Sequence, residues 1–176
     1  MKKLQFNSFG LLGGSFDPPH YGHLKISKIA LKKLPIKKVV WIVNKKNPFK
    51  KKTYFSLRQR LLKCKKMTEK NKKIRVMYLD QIVKSPRTFK AINYFKKKSK
   101  ERIFFLIGSD NLIYFHKWKN YKSILKSCVL VVFSRKGYDN RAKKSNLLKK
   151  KDLNNIIFVN NKKFNISSTM IKRKLI

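Results

Sequence analysis

Apolar residues in this chain come in short unbroken runs, and between the runs they recur at helical spacing. Leu4 to Leu12 reads as a first strand that ends in Gly13-Gly14. From about Tyr21 onward, Ile26, Ile29, Ala30 and Leu34 fall at i, i+3, i+4 and i+8, the stripe of an amphipathic helix, which Pro35 stops. Val39 to Val43 is apolar at every position, as expected of a strand covered on both faces. Asn44 to Tyr54 is a basic loop, and Ser56 can cap a helix that places Leu57, Leu61 and Cys64 on one side. Ile74 to Leu79 predicts a third strand. Ser85-Pro86 then breaks the chain, and Thr88 opens a helix carrying Ala91, Ile92 and Phe95. Ile103 to Ile107 is the strongest strand and runs directly into Gly108-Ser109-Asp110, followed by a short helical stretch around Trp118. Cys128 to Phe133 and Ile156 to Val159 complete six strands. Residues 135–152 are polar and read as a loop or weak helix, and Ser167-Ser168-Thr169 caps a last helix with Ile171 and Leu175.

Strand and helix alternate, and the strands lack the polar alternation of a half-exposed sheet. The expectation is one α/β domain over residues 1–176 with a mainly parallel sheet. In such sheets a ligand binds beyond the carboxyl ends of the strands, at the point where strand order reverses. That rule gathers four segments into one crevice: 13–23, 44–50, 108–118 and 166–173.

Composition adds a core and a field. The 176 residues are 42% hydrophobic and 12% aromatic, which suits a folded domain rather than a disordered one. Lysine and arginine number 47 against 7 acids, a formal net charge of +40 that favours polyanionic partners without choosing among them. Lysine is spread almost evenly, whereas nucleic-acid modules concentrate charge on one face and add a recognisable motif. The spread therefore reads as a solvated shell, with no specific nucleic-acid partner expected. Two cysteines, Cys64 and Cys128, cannot build a disulfide framework. No apolar run approaches the length of a membrane span, and the N-terminus lacks a signal peptide's apolar stretch, so a cytoplasmic protein is expected.

The chemistry concentrates in Gly13-Gly14-Ser15-Phe16-Asp17-Pro18-Pro19-His20-Tyr21-Gly22-His23. Glycines let backbone approach a ligand, and two histidines three apart at a helix start project from one face, where free N–H groups and the positive helix end suit phosphate. The segment is not a G-x-G-x-x-G dinucleotide fingerprint, because no acid follows about 20 residues on to hold a ribose. It is not a P-loop, since no Gly-Lys-Ser/Thr follows, and a zinc site lacks its third ligand and an H-E-x-x-H motif. Near the other end, Ser167-Ser168-Thr169 offers hydroxyls and N–H groups to an anion, with Lys172 and Arg173 one turn further in.

These residues resemble the H-x-G-H signature of the nucleotidyltransferases, and the extended form with Ser-Phe-Asp-Pro is most similar to the bacterial nicotinate-nucleotide adenylyltransferases. The likeness continues in family order through Gly108-Ser109-Asp110, Trp118, Ser134-Arg135-Lys136-Gly137-Tyr138 and Asn165-Ile166-Ser167-Ser168-Thr169-Met170-Ile171-Lys172. It implies a single Rossmann-like, doubly wound domain of nucleotidyltransferase type. It implies catalytic roles for His20, His23 and Lys172. An ATP site would be formed by Gly14, Ser15, Phe16, His20, His23, Gly108, Asp110, Arg135, Ser167, Ser168, Thr169, Lys172 and Arg173, with Arg135 near the adenine largely through its backbone. Asn44, Lys50, Thr88 and Trp118 would bind the acceptor nucleotide, Trp118 by stacking on its ring. Several positions depart from the family pattern. Phe49 stands in place of a histidine, Pro86-Arg87 precedes Thr88, Ala91 replaces a threonine and Lys172 an arginine. The chain also ends soon after the last signature, where most members continue with another helix.

The implied reaction is adenylyl transfer from ATP to nicotinate mononucleotide, with Mg²⁺ carried on the ATP and no metal site of the protein's own. ATP and the mononucleotide are the expected partners, no membrane is involved, and a homo-oligomer is compatible with the sequence. Two alternatives stand beside it. One keeps the chemistry but changes the acceptor to nicotinamide mononucleotide or pantetheine phosphate. The other is a nucleic-acid-binding protein on the same fold.

Overall fold

The computed structural model describes residues 8–45, 53–85, 87–145, 147–148, 155–161 and 168–173. In chain order the elements are β1 (Ser8–Gly14), α1 (Tyr21–Lys33), β2 (Lys38–Val43), α2 (Leu57–Thr68), β3 (Ile74–Met77), α3 (Thr88–Lys98), β4 (Arg102–Gly108) and α4 (Ser109–Ile113). A turn of 3₁₀ helix (Phe115–Lys117) follows, then α5 (Tyr121–Ser127), β5 (Val129–Phe133), α6 (Asp139–Lys143), β6 (Ile156–Val159) and α7 (Ser168–Arg173). The six strands form one sheet in the order β3-β2-β1-β4-β5-β6, and every pairing is parallel. This is the Rossmann-like, doubly wound arrangement, and its order reverses between β1 and β4.

Burial explains why the strands read as unbroken apolar runs. Successive side chains point to opposite faces, and here both faces are covered. Leu11, Val40, Ile42, Phe105, Ile107 and Leu130 enter one core beneath α3 and α5, with Ile92 and Ile124. Leu12, Val39, Trp41, Phe104, Leu106 and Val131 enter the other, against Leu24 and Ala30 of α1 and Cys64 of α2. Trp41 is fully buried, and its indole N–H donates to Ser27 Oγ at 2.8 Å, which satisfies its one polar atom. Burial pushes the Cys64 and Cys128 thiols up to about 12, so both are packed and unreactive.

Boundaries shift where backbone geometry outweighs hydrophobicity. The first strand runs on through Gly13 and Gly14 because both pair with β2, at Ile42 and Val43; its expected start at Leu4 lies outside the described residues. The third strand stops at Met77, although Leu79 beyond it remains buried in the core. Cys128 caps α5 rather than opening β5. The polar 135–152 stretch yields one short helix, α6. Ser56 caps α2 as expected, its side chain accepting from Gln59 N while the Gln59 side chain accepts from Ser56 N.

Candidate active site

The loop between β1 and α1 crosses the carboxyl edge of the sheet at the reversal of strand order. Ser15, Phe16, Asp17, Pro18 and Pro19 are all buried. Phe16 adopts φ 47°, a left-handed conformation held by burial of its ring. That ring stacks on Trp41 at 4.9 Å between centroids and lies 4.7 Å from the ring of His23. Phe16 thus supports the histidines from below, and only its backbone is left to meet a ligand. Gly14 anchors the neighbouring strand end, its carbonyl accepting from Asn44 N at 2.9 Å.

His20 is the N-cap of α1, and His23 is its third helical residue. The His20 backbone N–H donates to His23 Nδ1 at 3.1 Å, which leaves the ring proton of neutral His23 on Nε2. The two rings lie 3.8 Å apart between centroids. Burial, with the Arg135 charge adding to it, pushes His20 down to about 4. Burial likewise holds His23 well below its ordinary value, and the His20 and Arg135 charges push the same way, against the His20 backbone hydrogen bond. Both imidazoles are therefore neutral at pH 7, and two positive rings this close would repel.

Across the switch point, Gly108 ends β4 and Asp110 lies in the first turn of α4. Asp110 Oδ2 accepts from Arg135 Nη1 in an ion pair. A Cβ at Gly108 would clash with Asp110 Oδ1, so the glycine gives the carboxylate its place. The Arg135 backbone N–H donates to Asp139 Oδ1 at 2.9 Å and to Ser109 Oγ at 3.1 Å, and Ser109 Oγ donates to Asp139 Oδ1 at 2.7 Å. With that N–H engaged, the polar groups left to Arg135 are its carbonyl and its guanidinium, which pairs with Asp110. Trp118, half-buried, packs on Phe115 at 5.1 Å and Phe105 at 6.1 Å.

His20, His23, Gly108, Asp110, Trp118 and Arg135 share one crevice of about 760 Å³ including its mouth. Within the wall, Asp110 Oδ1 is buried against Gly108 without a hydrogen-bond partner. Asn44 and Thr88 line a separate, smaller recess of about 280 Å³, with Asp80, Ser85 and Arg87, on the other side of Gly13. Gly13 borders both spaces.

The last described helix, α7, docks on the histidine loop. Ser168 Oγ donates to the Pro18 carbonyl at 2.9 Å, and Lys172 Nζ lies 3.2 Å from Asp17 Oδ2. Asp17 is fully buried and also accepts from Tyr54 N and Phe55 N, each at 2.9 Å. Burial works to raise its pKa, but the two N–H groups and Lys172 outweigh it and hold the carboxyl below its ordinary value. Thr169 and Arg173 are exposed on the same helix. Ser167 and Lys50 lie outside the described residues. Among the described residues no group of three His, Cys, Asp or Glu side chains is placed to hold a metal ion, and no helix is long and apolar enough to cross a membrane.

One buried charged residue escaped the sequence reading. Arg60 of α2 is 1% exposed, and its guanidinium donates to the carbonyls of Ser15 (2.6 Å), Asn44 (2.7 Å), Lys45 (2.8 Å) and Phe55 (3.2 Å). The available signal was slight: an arginine in a chain whose basic residues are mostly lysine.

A six-stranded parallel sheet with a paired-histidine loop at its switch point defines a nucleotidyltransferase-type domain, and the cytidylyltransferase-like family model matches residues 11–174. A probable nicotinate-nucleotide adenylyltransferase of Pelagibacter ubique is 44% identical over 164 residues, 93% of this chain and 91% of that protein. One from Ruegeria sp. is 34% identical over 129 residues, 73% of this chain and 68% of that protein. In fold, the chain resembles the Plasmodium falciparum nicotinic acid mononucleotide adenylyltransferase complexed with NaAD, with a TM-score of 0.74 at 18% identity, covering 95% of this chain and 83% of that one. The chain belongs to the cytidylyltransferase-like family and, within it, to the nicotinate-nucleotide adenylyltransferases.

Proposed function

We propose that this protein transfers the adenylyl group of ATP to nicotinate mononucleotide, forming nicotinate adenine dinucleotide and pyrophosphate. The observation that carries the assignment is one crevice at the reversal of strand order that His20, His23, Gly108, Asp110, Trp118 and Arg135 line together. The His20 and His23 imidazoles and the Asp110–Arg135 pair give that space donors and an acceptor for a nucleotide. The names of the relatives point to the same substrates.

In the transfer, a 5′-phosphate oxygen of the mononucleotide attacks the α-phosphorus of ATP in line, and the bond from that phosphorus to the oxygen bridging to the β-phosphate breaks. The attacking oxygen is already anionic, so the protein needs no nucleophile and no strong base. This suits neutral imidazoles. His23 Nε2–H and the His20 ring donate to phosphate oxygens, and preorganised donors lower the barrier by meeting charge as it shifts toward the leaving group. Asp110 accepts from ribose or base donors, and Arg135 lies alongside it. Trp118 offers an aromatic wall to the acceptor ring, and Asn44 and Thr88 border the neighbouring recess. Lys172, Arg173, Ser168 and Thr169 approach from α7 to hold the departing pyrophosphate, with Lys172 using the ammonium protons that Asp17 leaves free. Mg²⁺ arrives as part of the ATP substrate. Cytoplasmic residence is part of this proposal.

The test is product analysis with ATP, Mg²⁺ and three separate acceptors: nicotinate mononucleotide, nicotinamide mononucleotide and pantetheine phosphate. Fastest turnover with the first is expected. Pyrophosphate release only with another acceptor, or with none, would overturn the assignment.

A further inference from the structure

We propose that Arg60 is a positioning residue for adenylyl transfer, fixing the backbone that carries the histidine loop. This rests on the function proposed above. The four carbonyls it holds do not belong to one secondary structure. Ser15 follows β1, Asn44 and Lys45 follow β2, and Phe55 precedes α2. Ser15, Asn44 and Lys45 lie at the carboxyl edge of the sheet, beyond the last ladder pair of Gly14 with Val43, and Phe55 is tied to that edge through Asp17. The sheet does not need these bonds to form, but the geometry of its binding edge does.

Only a guanidinium fits the position. Nη1 reaches Ser15 O and Asn44 O together, Nη2 reaches Lys45 O and Nε reaches Phe55 O, so a planar fork ties three segments at once. A lysine ammonium offers three donors from a single point and cannot span the same carbonyls. The buried charge is stabilised by carbonyl dipoles, with Asp17 and Asp80 contributing through space. Asp17 completes the arrangement from the other side. Phe55 is held at both ends, its N–H by Asp17 and its carbonyl by Arg60. Ser15 sits between Gly14 and Phe16, and the Phe16 ring lies beneath His23. A shift at the Ser15 carbonyl therefore passes directly to the imidazole.

The experiment compares Arg60→Lys with the wild-type full chain, in the wild-type and His23→Ala backgrounds. Enzyme amounts are normalised to folded protein by circular dichroism. Expected is a fall in kcat of about 10²-fold, the scale for misplacing reacting groups by an ångström, with at most a threefold further loss when His23 is already alanine. Non-additivity marks action through the histidine loop. Full, multiplicative losses in the double variant, or a folded Arg60→Lys protein with wild-type kcat and only a lowered Tm, would overturn the proposal. Arg60→Gln, which keeps two N–H donors without the charge, replaces the lysine variant if that one does not fold. Calorimetric titration with a non-hydrolysable ATP analogue separates this proposal from the assigned reaction. If the wild type binds the analogue but makes no nicotinate adenine dinucleotide, the assigned reaction fails. The positioning role then stands only if Arg60→Lys weakens analogue binding tenfold or more, and unchanged binding rejects it.

Discussion

Replacing His20 with glutamine should make the free protein resist acid better than the wild type. The folded protein holds His20 at about 4, against an ordinary 6.5. Between those values the unfolded chain binds a proton that the folded chain refuses, so stability rises with pH across that window. Its contribution is complete above about pH 6.5, falls away as pH drops toward 4, and changes little below. At about 1.4 kcal/mol per pKa unit, the shift corresponds to roughly 3–4 kcal/mol over the whole window, most of it lost between pH 7 and pH 4.5. Such a loss is a large fraction of a typical domain's stability. Urea denaturation at the two pH values, at one ionic strength, measures it. The wild type should lose stability on acidification through both histidines, and His20→Gln should lose roughly 2–3 kcal/mol less. An ATP analogue should shrink the wild-type loss further, since phosphate beside the ring stabilises its charged form. If His20→Gln and wild type fall in parallel, within about 0.5 kcal/mol, the neutral buried histidine is wrong.

Other perturbations probe neighbouring parts of the site. Asp17→Ala leaves two backbone N–H groups and Lys172 without their shared acceptor and should cost about 3–5 kcal/mol by urea denaturation at pH 7. Because the folded carboxyl lies below its ordinary value, that gap should persist down to about pH 4 and close only as pH falls through the lowered pKa. Gly108→Ala should still fold, since the new Cβ clashes only with the carboxylate end of the Asp110 side chain, but displacing that carboxylate from Arg135 should raise the KM for ATP about tenfold.

The strands were legible because both sheet faces are covered, so Val39–Val43 and Ile103–Ile107 carry no polar interruption. The histidine loop was legible because its chemistry is local: the Gly-Gly turn, the helix start and both imidazoles fall within eleven residues. The meeting of the Ser168 helix with Pro18 followed from strand order, which brings distant loops to one edge. What escaped were the long-range polar ties. Arg60 satisfies carbonyls 5 to 45 residues away, and no periodicity marks a side chain whose partners are backbone atoms. Asp17 read as one letter of a motif, although its structural task is to hold Tyr54, Phe55 and Lys172. The separation of Trp118 from Asn44 and Thr88 was hidden for a related reason. Gly13 stands between their two spaces, a division set by sheet twist and helix packing rather than by spacing along the chain.

The most direct measurement of the central claim is the rate of nicotinate adenine dinucleotide formation from ATP and nicotinate mononucleotide, by wild type and by His23→Ala. The predicted result is one pyrophosphate released per dinucleotide made by the wild type, with kcat lowered about 10²-fold or more in a folded His23→Ala protein. Wild-type turnover in that variant, or no dinucleotide from the wild type, would contradict it.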